Sequence, residues 1–194
     1  GVIILSSLFF SITKSNINNI MNNPLLTKST LPYGAPQFDK IETQHYIPAF
    51  KQAIEEGKAE IDAIVNNPDA PSFGNTIEAL EYAGETLNRI SHIFYNLLEA
   101  NTNEEMQNIA EEISPLTTEF SMYVRLNDGL FQRIKSVYEQ RESLNLDDVE
   151  LRLLEKTYEG FARNGANLSP EDKETYSKYM EELSLLSLQF GKNV

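Results

Sequence analysis

The side chains with the widest range of chemistry in this 194-residue chain are its two histidines, His45 and His92. A helical zinc site needs two imidazoles one turn apart, in the order His-Glu-x-x-His, so that both ligands share a face with a nearby glutamate. Neither histidine here is followed by glutamate or by a second histidine four residues on. We therefore interpret His45 as a residue at a helix start that makes a capping or packing hydrogen bond, and His92 as a buried or half-buried neighbour of Ile90 and Phe94.

Acidic side chains are numerous, but their positions indicate solvated helix faces. General acid–base catalysis needs two carboxyl groups in contrasting, partly buried surroundings. The adjacent acidic pairs fall mostly on polar faces or in the first turns of predicted helices, where the helix dipole favours them. We assign them no catalytic role. The pairs are Glu55-Glu56, Glu104-Glu105, Glu111-Glu112, Asp147-Asp148, Glu171-Asp172 and Glu181-Glu182.

Other catalytic groups are also missing from the pattern. There are no cysteines, which excludes disulfides, thiolate metal sites and a cysteine nucleophile. A tyrosine can stabilise an oxyanion, but several of the nine tyrosines recur at helical spacings beside aliphatic residues, as expected of core or groove lining. We predict no catalytic, cofactor-binding or metal-binding residue in this chain. The tyrosines in question are Tyr82, Tyr95, Tyr138, Tyr158, Tyr176 and Tyr179.

The charge of the chain is strongly negative. Its 29 acidic and 16 basic residues give a net charge of −13. A phosphate backbone requires clustered lysine and arginine, and no such cluster occurs. We therefore predict no nucleic-acid partner and interpret the acids as a solvated surface.

The N-terminal residues 2–12 (VIILSSLFFSI) are apolar but too few to span a bilayer. They resemble the middle of a secretory signal, although no basic run precedes them and no clear small-x-small cleavage site follows. We predict no membrane span, and both a cytoplasmic and a bacterial periplasmic location stay open.

The apolar spacing from Thr43 onward is that of helices, and no alternating run indicates a strand. We predict an all-α fold, a bundle of about six long helices. The predicted helices cover residues 43–65, 76–100, 102–126, 130–138, 147–164 and 169–190.

Capping signals set the predicted helix starts. Thr43, Asn75 and Thr102 are predicted caps, the last two with a glutamate three residues on. Residues 127–129 (Asn-Asp-Gly) mark a break before the fourth helix. Asp147 is predicted to cap the fifth helix. Two prolines also carry expectations, since Pro48 fits a first turn and Pro115 should kink the third helix. Gly165 is a predicted stop, and Ser169-Pro170 is a strong start.

The chain divides into three predicted parts. Residues 1–22 form an N-terminal extension, residues 23–42 an irregular segment and residues 43–194 a helical domain that we expect to be cut short. The apolar face of its last helix runs to the end of the sequence. We therefore expect Leu183, Leu186 and Phe190 to be partly uncovered unless another chain or residues 2–12 cover them, with self-association as one consequence.

Four blocks, residues 23–50, 73–90, 137–173 and 183–190, occur in an order and spacing that is specific although each alone is ordinary helical sequence. Together they resemble the bacterial peptidyl-dipeptidases (dipeptidyl carboxypeptidases), zinc metallopeptidases of the thimet oligopeptidase type. The resemblance implies the N-terminal part of a longer, two-lobed helical enzyme. Such enzymes release C-terminal dipeptides from short peptides in a deep channel, and their zinc lies in the C-terminal half. The family's metal ligands, general base and oxyanion-stabilising tyrosines match nothing here.

Two hypotheses of different classes follow. The first is a non-catalytic segment that walls the substrate channel, inactive alone, with zinc, peptide substrates and the C-terminal catalytic region as the parent enzyme's cofactor and partners. The second is a free-standing helical protein-binding module that has lost the peptidase half. A helical enzyme with its own unrecognised site ranks last, because only His45, His92 and scattered acids support it.

Overall fold

Six long α-helices make up most of residues 23–192, the part of the chain that the computed structural model describes. This part contains no strand, which confirms the predicted all-α class. The predicted N-terminal extension, residues 1–22, lies outside the described residues. The helices are α1 Tyr46–Val65, α2 Glu85–Ala100, α3 Glu104–Arg125, α4 Asp128–Glu139, α5 Asp148–Arg163 and α6 Pro170–Lys192. Between α1 and α2 lie a π-helical turn, Phe73–Glu78, and one α-helical turn, Ala79–Tyr82; short 3-10 turns occur at Pro32–Gly34, Phe38–Lys40, Thr43–His45 and Arg141–Ser143.

The start of α1 differs from the prediction. A 3-10 turn, Thr43–His45, precedes the helix, and Pro48 lies in its first turn as expected. Thr43 does not cap the helix, because its hydroxyl donates to Glu105 Oε1 at 2.7 Å. A hydrogen bond from the Glu42 amide to His45 Nδ1 at 3.0 Å closes the turn instead.

The predicted continuous helix over residues 76–100 is wrong in both its cap and its continuity. Ser72 is the cap, since its Oγ accepts from the Asn75 amide at 3.2 Å, while Asn75 Oδ1 accepts from the Ser72 amide at 2.9 Å. The chain then breaks at Gly84, whose φ of 77° lies in the left-handed region that glycine adopts without a Cβ penalty. At this break the Gly84 amide donates to a side chain on another helix, Glu60 Oε2 on α1, at 2.7 Å.

The cap of α3 lies one residue after its predicted position, and α4 begins two residues before its predicted start at residue 130. Asn103, and not Thr102, caps α3 by accepting from the Met106 amide at 2.9 Å. The helix runs through Pro115 without interruption, and the kink there stays a prediction. The predicted break at residues 127–129 is a cap followed by a first turn, because Asn127 Oδ1 accepts from the Leu130 amide at 2.9 Å.

The signals around α5 and α6 are confirmed. Asp147 Oδ1 accepts from the Glu150 amide at 2.9 Å, and Glu150 Oε2 accepts from the Asp147 amide at 3.0 Å. Gly165 ends α5 with a φ of 97°. Ser169 caps α6 by accepting from the Asp172 amide at 3.2 Å.

Two apolar clusters form the core, and α1 belongs to both. The first cluster joins the N-terminal half of α1 to α2 and α3 around Phe94, whose ring meets those of Tyr46 and Phe50 edge-on at centroid distances of 4.9 and 5.8 Å. The second joins the C-terminal half of α1 to residues 73–82, α4 and α5, with Ile61 and Leu154 fully buried. Helices α2, α3 and α4 therefore pack directly on α1, whereas α5 packs on α4 and α6 packs on α3.

The irregular segment of residues 23–42 is tied to the first cluster at its beginning. Leu25 is fully buried there. Asn23 is also buried, and its side chain donates to the His45 carbonyl at 2.8 Å and accepts from the Leu25 amide at 3.0 Å. These bonds dock the segment against the start of α1.

Two helical glycines provide a matched test of this packing. A Cβ at Gly129 of α4 would lie 2.7 Å from Val65 Cγ1 of α1, whereas one at Gly160 of α5 would meet nothing within 4 Å. We expect Gly129→Ala to cost about 1 kcal/mol or more in unfolding free energy, because a stiff, branched side chain must move. Gly160→Ala should stabilise by about 0.5 kcal/mol through helix propensity. Urea unfolding measures both, and equal effects of the two substitutions would contradict the close approach.

Candidate functional site

The two histidines differ in their surroundings. His45 is half-buried at the start of α1, and the hydrogen bond that its Nδ1 accepts confirms its predicted structural role. His92 is exposed, so the prediction that it is buried or half-buried is wrong. Ile90, Ile93 and Phe94 occupy the buried face of α2. Because each residue turns the helix by about 100°, His92 points away from that face.

The residues of the described part do not fit a zinc site. Between residues 23 and 192, no group of three or more His, Cys, Asp or Glu side chains is placed to hold a metal ion. In addition, one imidazole nitrogen of His45 already accepts a backbone hydrogen bond.

The six adjacent acidic pairs all lie at the surface, as predicted. Elsewhere on the surface, hydrogen bonds from Lys156 and Lys178 lower the pKa of Glu159 and of Glu174, respectively. A general acid would need the opposite shift. The lowered pKa values of Glu159 and Glu174 therefore indicate surface ion pairs.

A polar cluster around Tyr123 links α3 to α1. The Tyr123 hydroxyl donates to Asp62 Oδ1. This bond, followed by burial and by the charges of Asp62 and Glu55, raises the pKa of Tyr123 to about 12. Lys58 lies 5.9 Å from the centre of the Tyr123 ring and pairs with Glu119 at 3.5 Å. A tyrosine with a raised pKa stays protonated at neutral pH, so this cluster acts as a tie between helices.

Arg133 of α4 has a structural role that was not predicted from the sequence. It is only 9% exposed, and its guanidinium donates to the Asn67 carbonyl at 3.0 Å, the Asp69 carbonyl at 3.3 Å and Asn75 Oδ1 at 3.1 Å. These bonds hold the loop between α1 and residues 73–82. The signal was its place among Leu130, Phe131, Ile134 and Val137 on the apolar face of α4.

The tyrosines predicted to line core or groove divide into two groups. Tyr138 and Tyr158 are half-buried and stack at 4.0 Å between ring centres, with the Arg141 guanidinium 4.4 Å from the Tyr138 ring. Tyr95 and Tyr176 are also half-buried. Tyr82 and Tyr179 are 68% and 66% exposed, so neither lies in the core, although Tyr82 borders a surface depression.

Two surface depressions adjoin the first cluster. One, of about 290 Å³, lies between the irregular segment and α2 and is bordered by Lys40 and Arg89. The other, of about 320 Å³, lies between the C-terminal ends of α2 and α6 and is bordered by Leu98 and Leu188. Within residues 23–192, no helix combines the length and apolar character that crossing a bilayer requires.

The clamp formed by Arg133 can be tested by substitution. Arg133→Met should lower the unfolding free energy by about 1–3 kcal/mol, because it leaves loop carbonyls without their donor. Arg133→Lys should restore only part of the lost stability, because an ammonium still donates hydrogen bonds but lacks the planar fork of the guanidinium. The control is Arg125→Met, at an exposed position. Urea unfolding and limited proteolysis of residues 66–75 measure the effect, and equal stability of the Arg133 and Arg125 variants would exclude the clamp.

The raised pKa of Tyr123 predicts a pH dependence of stability. Since the pKa of Tyr123 in the folded state is about 12, above the usual 10, its protonated hydroxyl stabilises the fold fully below pH 10. This stabilisation is lost as pH rises through 12. The stability difference between wild type and Tyr123→Phe should therefore shrink between pH 10 and 12. Tyr46 and Tyr95, whose pKa burial also raises, are common to both proteins and cancel. A constant difference across this range, measured by urea unfolding, would refute the Tyr123–Asp62 bond.

Comparison with known proteins identifies the relatives of this chain. No family model matches it. It is 42% identical to the dipeptidyl carboxypeptidase of Salmonella typhimurium and 41% identical to that of Escherichia coli, each over 172 residues that make up 89% of this chain and 25% of the relative. Oligopeptidase A of Salmonella typhimurium is 26% identical over 174 residues, 90% of this chain and 25% of the relative. The chain thus spans about a quarter of the length of the curated relatives that it matches, and it is homologous to the bacterial dipeptidyl carboxypeptidases over the part that its sequence blocks identify as N-terminal.

Proposed function

We propose that this chain is the N-terminal, non-catalytic helical segment of a zinc-dependent peptidyl-dipeptidase that releases C-terminal dipeptides from oligopeptides. In that enzyme it forms part of the wall of the substrate channel, and alone it is inactive. The observation that carries the proposal is the 42% identity, over 172 residues, to a protein named dipeptidyl carboxypeptidase.

The chemistry of the described residues supports a structural role. The half-buried His45 is engaged by backbone, and His92 is exposed. Among the described residues, burial or a hydrogen bond raises the pKa of three tyrosines. Surface ion pairs shift the pKa of Glu159, Glu174 and Lys178. The zinc of the parent enzyme is accordingly held by residues outside this chain.

The three-part division of the chain is part of the proposal. The irregular segment of residues 23–42 packs on the helical domain of residues 43–194, since Asn23 donates to the His45 carbonyl and Leu25 is buried in the first cluster. The third part of the division is residues 1–22, which lie outside the described residues. Peptide substrates reach this segment through the parent enzyme.

The competing function is a free-standing helical protein-binding module. The observation in its favour is the exposed apolar face of α6, where Phe190 is 72% exposed. The gene distinguishes the two functions. A reading frame that continues into a His-Glu-x-x-His region rejects the free-standing module, and one that stops after Val194 favours it.

Activity measurements test the proposed function in two steps. The purified chain, given a blocked tripeptide and added zinc, should release no dipeptide above the zinc-only blank, while the Escherichia coli relative serves as positive control. Next, this chain should replace the matched quarter of the Escherichia coli relative in a chimera that retains zinc and cleaves the same tripeptide. Turnover by the chain alone, or a folded and zinc-loaded chimera that cannot cleave, would overturn the proposal.

A further inference from the structure

The outward face of α6 carries a stripe of large apolar side chains, which we call the outer stripe. It consists of Tyr179, Leu183, Leu186 and Phe190, which are 66%, 54%, 52% and 72% exposed. Their spacings of four, three and four residues place them on one side of the helix. Such a spacing is typical of a seam between packed helices. The exposure of Leu183, Leu186 and Phe190 confirms the expectation from the sequence.

The contacts of α6 with the rest of the bundle include residues outside the outer stripe, such as Ser184 and Leu188. Among the described elements, α6 makes extended contact with α3 alone. That contact includes a hydrogen bond between the hydroxyls of Ser184 and Ser114, and Leu188 packs against the first cluster. A helix normally buries a continuous stripe of large apolar side chains. The outer stripe therefore lacks the cover that its composition calls for.

The charge around the outer stripe defines what can cover it. The N-terminal half of α6 carries surface ion pairs such as Lys178–Glu174, at 2.7 Å. Residues 183–191 carry no charge, although the whole chain has a net charge of −13. The depression of about 320 Å³ beside Leu188 flanks the same end of the helix. An apolar partner surface that follows the second half of α6 fits this pattern.

We infer that the outer stripe is the surface on which the catalytic remainder of the dipeptidyl carboxypeptidase docks, an inference that rests on the proposed function. The matched part makes up 25% of the relatives, so three-quarters of their length has no counterpart in this chain. In the proposed enzyme, the surface that covers the outer stripe belongs to that length. A second copy of this chain fits less well, because two bodies that each carry a net charge of −13 repel each other.

Alkylation of engineered cysteines tests this docking, since the chain has no cysteine of its own. Leu186→Cys lies on the outer stripe, and Gln189→Cys, also exposed, is the control, since helical geometry places it about 60° from Leu186 and about 90° from the middle of the stripe. Both should react rapidly in the full chain. In the chimera described above, the cysteine at position 186 should react at least ~10-fold more slowly, and the one at 189 much less so. Equal rates at 186 in the chain and the chimera would overturn the inference.

Co-expression gives a second measurement that does not depend on the chimera. The full chain, expressed with the Escherichia coli relative from which the matched quarter has been removed, should elute with it as one complex in size exclusion. Leu186→Asp should abolish the complex because docking would bury a charge, whereas Gln189→Asp should leave it intact. Loss of the complex with both variants, or with neither, would contradict a role of the outer stripe.

Competing occupants and the proposed function have distinct outcomes. A dimer of the full chain in light scattering that Leu186→Asp dissociates would assign the stripe to a second copy. Rapid alkylation at position 186 only after removal of residues 1–22 would assign it to the N-terminal extension. Either result overturns the inference and leaves the proposed function standing. A chimera that protects position 186 and holds zinc but does not cleave would overturn the proposed function and keep the docking surface.

Discussion

The burial of α1 between two apolar clusters is the constraint on which the rest of the described structure depends. Phe50 lies in the first cluster and Ile61 in the second, so one helix fixes the relative position of both. Between them, Gly57 permits the close approach of α3, since a Cβ there would lie 2.7 Å from the Phe120 ring. The polar ties follow the same axis: Asp62 and Glu60 of α1 hold Tyr123 of α3 and the amide at the start of α2.

The existence and order of the helices follow from the sequence because apolar spacing is a local signal. Two errors at helix starts have a tertiary reason. Thr43 has the composition of a cap, but its hydroxyl is bound by Glu105, 62 residues away. The break at Gly84 was missed because the carboxylate that receives its amide lies on another helix. By contrast, the caps at Asp147 and Ser169 are bonded within their own first turns, and these were predicted correctly.

The candidate site was predictable to a similar degree. The role of His45 could be inferred because its partner, the Glu42 amide, is three residues away. The exposure of His92 could not be inferred in this way. Adjacent apolar residues indicate only that a buried face is near, and the helical phase decides which side chain points away from that face. Arg133 stood out only as a charge on an apolar face, and its acceptors lie 58–66 residues earlier in the chain.

In the described residues the polar contacts tie helices together, and the outer stripe is the surface that we propose meets the remainder of the parent enzyme. The most direct test of this account is the zinc content of the purified chain after dialysis against zinc and then against buffer with a weak chelator, measured by mass spectrometry. The account predicts far less than one zinc per chain. One equivalent retained by the chain alone would show that it holds its own metal centre, and would contradict the account.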